Sequence, residues 1–413
     1  MKIAQKPLKS IYNCEVCGNR SLKPVLNLGK HPMCDDLVRV GDPRVCKEYP
    51  IEILYCNVCR TGHQKFQVPK EELFPKSYHY RSRFTADVLS GMSGLVDSCA
   101  DKFGSLDKKI VVDIGCNDGS LLDFFKQKGA VTIGIEPTDA SKDAESKGHQ
   151  VYSDYLSVDL AEKILKAHGH PDIITFTNVF AHIEDLAGVL ASLKVLQDKN
   201  TKIVIENHYL GAVLDGNQFD TFYHEHPRTY SYTSFKFMAK TLGIDLEAVE
   251  FPSRYGGNIR VFMGLNSQMK NQLVLSDLDD KESLFEDQFE ELKSNIEKWL
   301  VSKGSILKST FEQHGKIRAK AFPGRSAILV KMLNIDENMI SAVYEKPGSL
   351  KIDHYVPGTR IPILSDDDLL ASDNLEKPLL NLAWHISKEI YGYLVKSGYV
   401  GPITDILDSD DFS

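Results

Sequence analysis

Between about residues 108 and 265, short apolar runs alternate with longer segments whose apolar residues recur at helical spacing. This alternation predicts strands and helices in turn, and therefore a mostly parallel sheet that binds ligands at the carboxyl ends of its strands. The predicted strands cover residues 111–114, 131–135, 149–152, 172–176 and 202–206, and the predicted helices include residues 121–128 and 186–197.

The flanking segments predict a different organisation on each side. Residues 72–108 show one apolar stripe, which predicts a helix that covers the ligand site, and residues 279–314 predict a charged connecting helix. Further strands are expected at residues 326–331, 339–344 and 379–384. The expected fold is α/β. It has a small cysteine-rich module at residues 10–71, a central Rossmann-like domain at residues 72–265 and a smaller α/β domain at residues 266–413.

Charge and hydropathy exclude several classes of function. The formal net charge of −8 over 413 residues argues against a nucleic-acid surface, which needs clustered Lys and Arg. No apolar run approaches the roughly 20 residues that span a bilayer, so no membrane partner is expected. Residues 1–7 are not followed by an apolar segment, which argues against a signal peptide. We therefore expect a cytoplasmic protein with reduced or metal-bound cysteines.

Two Cys-x-x-Cys pairs, Cys14 with Cys17 and Cys56 with Cys59, lie near the amino terminus. Four thiolates from two such pairs form the ligand set of a tetrahedral structural zinc site. The 38 residues between the pairs exceed the gap of an ordinary zinc ribbon, so a small subdomain is expected between them. The alternative is a pair of buried or redox-active thiols. Cys34 and Cys46 lack such a partner and are expected to be buried.

The first predicted strand of the central domain runs into a glycine turn, and the second ends in an acidic residue. This order of strand, glycine turn, helix, strand and acid is typical of a nucleoside-binding half-domain, in which the carboxylate accepts hydrogen bonds from ribose hydroxyls. The spacing of the turn, Gly-x-Asn-x-Gly, differs from that of a dinucleotide fingerprint. The candidate cofactor-binding residues are Asp113, Gly115, Asn117, Gly119, Ser120 and Glu136, with Asn178 after a later strand.

Two stretches carry candidate proton-handling side chains. They are residues 178–185 and residues 206–209 with 218–227, the latter including Tyr223, Glu225 and His226. Such side chains suit removal of a proton from carbon, which is feasible only next to a carbonyl and needs a base and a donor to the enolate oxygen. His-x-His is also a metal-ligand spacing, and a structural hydrogen-bond cluster is a further alternative. His182 could equally serve as a residue that begins a helix.

In order along the chain, the motifs are the two cysteine pairs, residues 78–82, the glycine turn, and residues 181–185, 217–226, 255–260, 355–363 and 383–384. Together they resemble the bacterial deoxysugar C-methyltransferases over nearly the whole chain. The resemblance implies a zinc-binding domain, a central class I methyltransferase domain that binds S-adenosylmethionine (SAM) and a C-terminal α/β domain. It implies methylation at C3 of a nucleotide-linked 4-keto-6-deoxyhexose, carried by dTDP or GDP. By this resemblance the catalytic residues are His226, Tyr223, Glu225, His182 and Tyr80, and the substrate contacts are Asn207, Asn217 and Arg260.

Two other readings of the sequence stay open at this point. One retains SAM but methylates oxygen or nitrogen of another small molecule, and the other is a non-catalytic adaptor built on the zinc module. The intact glycine turn and Glu136, together with the acidic charge, oppose the adaptor. We expect a monomer or a small homo-oligomer that binds no nucleic acid.

Overall fold

The structure is a computed structural model that describes residues 8–74, 81–84, 86–265, 272–371 and 375–412. Tyr80, an expected catalytic residue, lies outside the described residues. None of the described helices is long and apolar enough to cross a membrane.

The strands of the described residues are β1 (Lys9–Ser10), β2 (Lys23–Pro32), β3 (Val38–Arg39), β4 (Glu48–Cys56), β5 (Thr61–Gln64), β6 (Phe66–Gln67), β7 (Ile110–Ile114), β8 (Val131–Ile135), β9 (Gln150–Tyr152), β10 (Ile173–Thr177), β11 (Lys202–His208), β12 (Arg228–Thr229), β13 (Asp245–Glu250), β14 (Asn258–Gly264), β15 (Ile317–Lys320), β16 (Ile340–Glu345), β17 (His354–Tyr355), β18 (Ile363–Ser365), β19 (Leu379–Asn381) and β20 (Ile403–Asp405). The helices are α1 (Lys70–Leu73), α2 (Ala86–Phe103), α3 (Ser120–Gln127), α4 (Ala140–Ser146), α5 (Val158–His168), α6 (Leu186–Leu196), α7 (Leu210–Asp215), α8 (Tyr232–Leu242), α9 (Gln272–Ser283), α10 (Phe285–His314), α11 (Ser326–Met332), α12 (Asp366–Leu370) and α13 (Ser387–Lys396). Short 3₁₀ turns occupy Ser82–Phe84, Phe180–His182, Phe219–Thr221, Arg254–Gly256, Trp384–Ile386 and Ser409–Phe412.

The chain divides into two compact units, each assembled from separate segments. Unit one contains Met1–Lys23, Leu54–Val213 and Glu225–Phe285, and unit two contains Pro24–Ile53, Leu214–His224 and Glu286–Ser413.

Within its described residues, unit one is built on a seven-stranded sheet with the order β13-β14-β11-β10-β7-β8-β9. The strands from β7 to β11 run parallel, as the sequence pattern predicts, while β14 pairs antiparallel with both β11 and β13. The strand order reverses between β7 and β10, which is where open α/β sheets bind their ligands. Helix α2 covers one face and packs Val88, Met92 and Leu95 against apolar residues of β7, α3 and β14.

The segment of unit one that carries the cysteines pairs with residues from the later part of the same unit. Strand β5 pairs with β12, with Arg228 opposite His63. The fully buried Arg228 guanidinium also binds the Glu15 carboxylate and the Ile183 carbonyl. A buried charge with such partners is costly to separate, so this contact fixes the cysteine-bearing segment on the larger sheet.

Within its described residues, unit two contains a five-stranded parallel sheet with the order β18-β16-β15-β19-β20. One expectation is wrong here: residues 326–331, which the sequence predicts as a strand, form helix α11. Residues 326–330 are all buried, and a short apolar run buried on every side shows no periodicity that separates strand from helix. The connecting helix is longer than expected and is interrupted at Leu284, which is exposed.

Candidate active site

The glycine turn connects β7 to α3 through three residues with positive φ: Gly115 at 75°, Asn117 at 50° and Gly119 at 76°. A Cβ added to Gly115 would lie 2.5 Å from a methyl group of Val179, so the turn has no room for a side chain there. The residues that sequence analysis assigns to the cofactor therefore form a close-approach turn at the carboxyl edge of β7.

Glu136 follows β8 and lies next to this turn. Its Oε2 accepts the Asn117 backbone N–H at 3.1 Å, and its Oε1 accepts the N–H and hydroxyl of Thr138 at 2.9 and 2.6 Å. A carboxylate has about four acceptor positions, so the carboxylate retains capacity for a ribose hydroxyl. The same bonds fix the carboxylate against the turn.

Asp113 and Ser120 are both buried beside the turn. Asp113 accepts a hydrogen bond from the Thr175 hydroxyl at 2.7 Å, and burial raises the pKa of Asp113 to about 7. The backbone N–H and hydroxyl of Ser120 donate to Asp118 at 3.2 and 2.6 Å, which orders the first turn of α3. These contacts place Asp113 and Ser120 under the glycine turn, where they support it.

A buried polar cluster centred on Glu206 lies near the carboxyl end of β11. Its carboxylate accepts hydrogen bonds from Arg254 at 3.1 Å, from Asn258 at 3.0 Å and from Arg260 at 2.7 Å. The side-chain amide of Asn258 also donates to the side-chain oxygen of Asn178 at 3.2 Å. Arg260, an expected substrate contact, is therefore placed in a network of protein groups.

Three imidazole rings meet at the same edge of unit one. The ring centroid of His226 lies 4.7 Å from that of His182 and 5.3 Å from that of His208. His182 Nδ1 lies 2.8 Å from the Glu225 carbonyl oxygen, which makes this nitrogen the donor. Burial lowers the pKa of His182 to about 4, so this imidazole is neutral at physiological pH.

Two of the expected residues, Tyr223 and Asn217, lie in unit two. There, the side-chain oxygen of Asn217 accepts a hydrogen bond from Asn295 at 3.0 Å. His224, between Tyr223 and Glu225, turns its Nε2 to the Tyr49 carbonyl oxygen at 3.0 Å. The two histidines of the His-x-His pattern thus have different surroundings, one in each unit.

Several buried polar atoms at the carboxyl edge of the sheet have no partner among the described residues. They are both side-chain polar atoms of Asn207, which is 1% exposed, the Thr177 hydroxyl and the Asn258 side-chain oxygen. Buried polar groups in folded proteins almost always have a partner in protein, water or ligand. Together with the glycine turn and Glu136, these atoms fit an edge that receives a polar ligand such as SAM.

The predicted zinc ligands come together in unit one. The sulfurs of Cys14, Cys17, Cys56 and Cys59 all lie within 4.8 Å of one another. Among the described residues, these four cysteines form the cluster of His, Cys, Asp or Glu side chains that could hold a metal ion. The sulfurs of Cys14 and Cys59 are 3.3 Å apart and those of Cys17 and Cys56 are 3.6 Å apart. Tetrahedral zinc–thiolate geometry with bonds near 2.3 Å places sulfurs about 3.8 Å apart, so the four residues fit a structural zinc ion.

Three family models match successive parts of the chain. Residues 14–74 match a zinc binding domain, residues 79–249 a methyltransferase domain and residues 253–397 a C-methyltransferase C-terminal domain. The chain carries the domains of a SAM-dependent C-methyltransferase. These matches confirm the fold class, the methyltransferase activity and the two cofactors, SAM and structural zinc, that the sequence predicts.

Individual relatives are distant. The C-methyltransferase NovU of Streptomyces niveus is 24% identical over 393 residues, which cover 94% of this chain and 93% of NovU. The structure of magnesium protoporphyrin IX methyltransferase from Synechocystis PCC 6803 with bound SAM is 14% identical, with a TM-score of 0.33 over 44% of this chain and 80% of that chain. The PH0226 protein of Pyrococcus horikoshii OT3 gives 13% identity and a TM-score of 0.35 over 48% of this chain and 98% of its own.

The sequence pattern assigns no role to Glu206, Arg254 or His208. Glu206 and His208 flank Asn207, and three polar residues in a row after the apolar residues 203–205 were the available signal. Arg254 lies in a short segment without periodicity, so only the folded structure brings it to Glu206.

Proposed function

We propose that the protein transfers the methyl group of SAM to C3 of a nucleotide-linked 4-keto-6-deoxyhexose, carried by dTDP or GDP, in the biosynthesis of branched deoxysugars. The proposal rests on the ring of His226, which is 4% exposed and stands against two further imidazoles at the carboxyl edge of the sheet. Transfer to carbon requires a base; a hydroxyl acceptor also profits from one, so the imidazole cluster favours carbon without excluding oxygen.

The position of the base relative to the methyl-donor turn supports this chemistry. His182 lies three residues after Val179, whose methyl groups occupy the space above Gly115. Strands β10 and β7, which lead to these two residues, are neighbours in the sheet. The imidazole cluster and the glycine turn thus belong to adjacent strand ends of one unit.

In the proposed reaction, His226 removes the proton from C3, which the C4 ketone acidifies. The resulting enolate carbon accepts the methyl group that SAM supplies when bound. His182 is neutral and is held in place by its hydrogen bond to the Glu225 carbonyl, so this neighbour of the base carries no positive charge. A neutral neighbour does not add a like charge that would oppose protonation of His226.

The remaining assignments stay predictions from the resemblance. Tyr223 is expected to donate to the sugar C4 oxygen, and Glu225 to position the sugar or assist the proton transfer. Asn207, Asn217 and Asn178 are expected to contact substrate or cofactor. The buried carboxamide of Asn207, which has no partner among the described residues, supports such a contact.

The test separates proton removal from methyl transfer. The protein is incubated in deuterated water with dTDP- and GDP-linked 4-keto-6-deoxysugars, with and without SAM, and the sugars are followed by NMR and mass spectrometry. We expect deuterium at C3 without SAM and a new C–C bond with SAM. If no ketosugar exchanges or gains a methyl group while a hydroxyl or amine acceptor is methylated, the proposal is wrong.

A variant pair assigns the base. His226→Gln is expected to slow exchange at C3 by about 10²- to 10⁴-fold, the usual contribution of a general base, with SAM affinity unchanged. His168→Gln, at the end of α5 and bonded to Tyr152, is the matched control and should exchange normally. A large loss of SAM binding in His226→Gln would instead make His226 a residue that organises the cofactor site.

A further inference from the structure

The third imidazole of the cluster, His208, has no assigned role. His208 is the last residue of β11, and its ring stands 5.3 Å from that of His226, with 52° between the ring planes. At this separation, two rings that turn their nitrogens to each other are at hydrogen-bond distance, and otherwise one water spans them. The pair is therefore placed for exchange of a proton.

The two rings differ in access to solvent. His226 is buried, whereas His208 is only partly buried. A base that is enclosed with its substrate needs a route by which the proton it has taken leaves before the next turnover. His208 supplies a titratable group that stands beside His226 and is itself partly exposed to solvent.

The neighbouring titratable groups do not replace His208 in this role. His182 donates to the Glu225 carbonyl and stays neutral. Glu206, two residues before His208 on β11, is bound by Arg254 and Arg260. Glu225 is the residue directly before His226 in the chain. On the neighbouring strand β14, the residue opposite His208 is Asn258, which carries no charge and cannot take a proton in place of His208.

We propose that His208 acts through His226 and not on the substrate. It takes the proton from His226 and releases it to water during the proposed C-methylation, on which this inference rests. The C3–H bond breaks and its proton passes to His226. The electron pair forms the new bond to the methyl carbon, whose bond to sulfur breaks with its electrons left on sulfur. His226 then passes the proton through His208 to solvent, so each turnover releases one proton.

The first test needs no substrate. Histidine ring resonances of the protein, saturated with S-adenosylhomocysteine, are titrated by NMR in the wild type and in His208→Gln. Because a positive charge on one ring acts on the other at this separation, we expect the pH dependence of the His226 signal to differ between the wild type and His208→Gln. In His168→Gln it should match that of the wild type. A His226 curve that is the same in the wild type and in His208→Gln overturns the proposal.

The second test measures proton flow. Deuterium exchange at C3 of a ketosugar that the wild type exchanges is followed in His208→Ala, with and without added imidazole. We expect the exchange rate to fall about 10-fold or more, with KM unchanged, and added imidazole to restore it. His208→Asn provides a second variant should His208→Ala fold poorly.

The outcomes separate this inference from the proposed function. If the wild type exchanges C3 and His208→Ala exchanges at the same rate, or its loss is not rescued by imidazole, the role of His208 is wrong while the proposed function stands. If the wild type exchanges no ketosugar, the proposed function fails and the role of His208 fails with it.

Discussion

Replacement of Arg260 by Gln separates a structural role of this arginine from a substrate contact. Arg260 Nε lies 2.7 Å from Glu206, which is 0% exposed, and its Nη1 reaches Glu250 at 2.9 Å and Ser98 at 3.0 Å. Removal of one partner from a buried ion pair costs about 3–5 kcal/mol because it leaves an uncompensated charge. Arg254 still binds the other oxygen of Glu206, so we expect the lower end, about 3 kcal/mol.

The assay must report on the strand pair itself, since a chain with two units does not unfold in a single step. Hydrogen exchange of peptides from β11 and β14, measured along a urea series, gives the free energy of opening for this region. Lys236→Gln is the control, because its pair with Asp279 is exposed and contributes at most about 1 kcal/mol. Opening free energies that differ by less than about 0.5 kcal/mol between Arg260→Gln and wild type, with weaker ketosugar binding, would refute the structural role.

Three further perturbations test the cofactor sites. Glu136→Gln should weaken SAM binding by roughly 30-fold in calorimetry, from the loss of about 2 kcal/mol of charge-assisted hydrogen bonding. Glu145→Gln, at an exposed position of α4, should leave the affinity intact, and a wild-type affinity of Glu136→Gln for SAM would exclude the ribose role of Glu136. Burial raises the pKa of Asp113 from 3.8 to about 7, so its stabilising effect is full below about pH 4 and is lost as the pH rises to 7. In Asp113→Asn the corresponding fall in the opening free energy of β7, measured by hydrogen exchange along a urea series, should be absent, and an unchanged dependence on pH would contradict the assignment. Purified protein should contain one zinc per chain by elemental analysis, and Cys56→Ser should lose it together with exchange protection in β5; retained zinc would contradict the ligand set.

The parts of the site that could be predicted from sequence are those made by residues close in the chain. The glycine turn and the acid after the second strand depend on local backbone geometry, which the residue types largely dictate. The zinc ligands follow from two tight turns, each of which carries its own pair of cysteines. These patterns need no knowledge of distant packing.

The Glu206 cluster depends instead on strand pairing. Arg260 reaches Glu206 because β14 pairs antiparallel with β11 in a register that sets these two residues opposite each other. A shift of one residue would turn Arg260 to the other face of the sheet, and no local pattern fixes that register. The family resemblance therefore marks Arg260 as a candidate substrate contact, whereas its partner Glu206 follows only from the folded sheet.

The same limit applies to the densest motif of the chain, residues 223–226. Four proton-handling side chains in succession suggest one common site, yet a turn at His224 and Glu225 sends them in different directions. His224 binds the Tyr49 carbonyl in unit two, whereas His226 stands against His182 and His208 in unit one. Because spacing alone does not reveal the turn, the residue types predict proton chemistry, while the fold brings only His226 of the two into the imidazole cluster. It follows that His224→Gln should affect stability far more than exchange at C3, the opposite of His226→Gln.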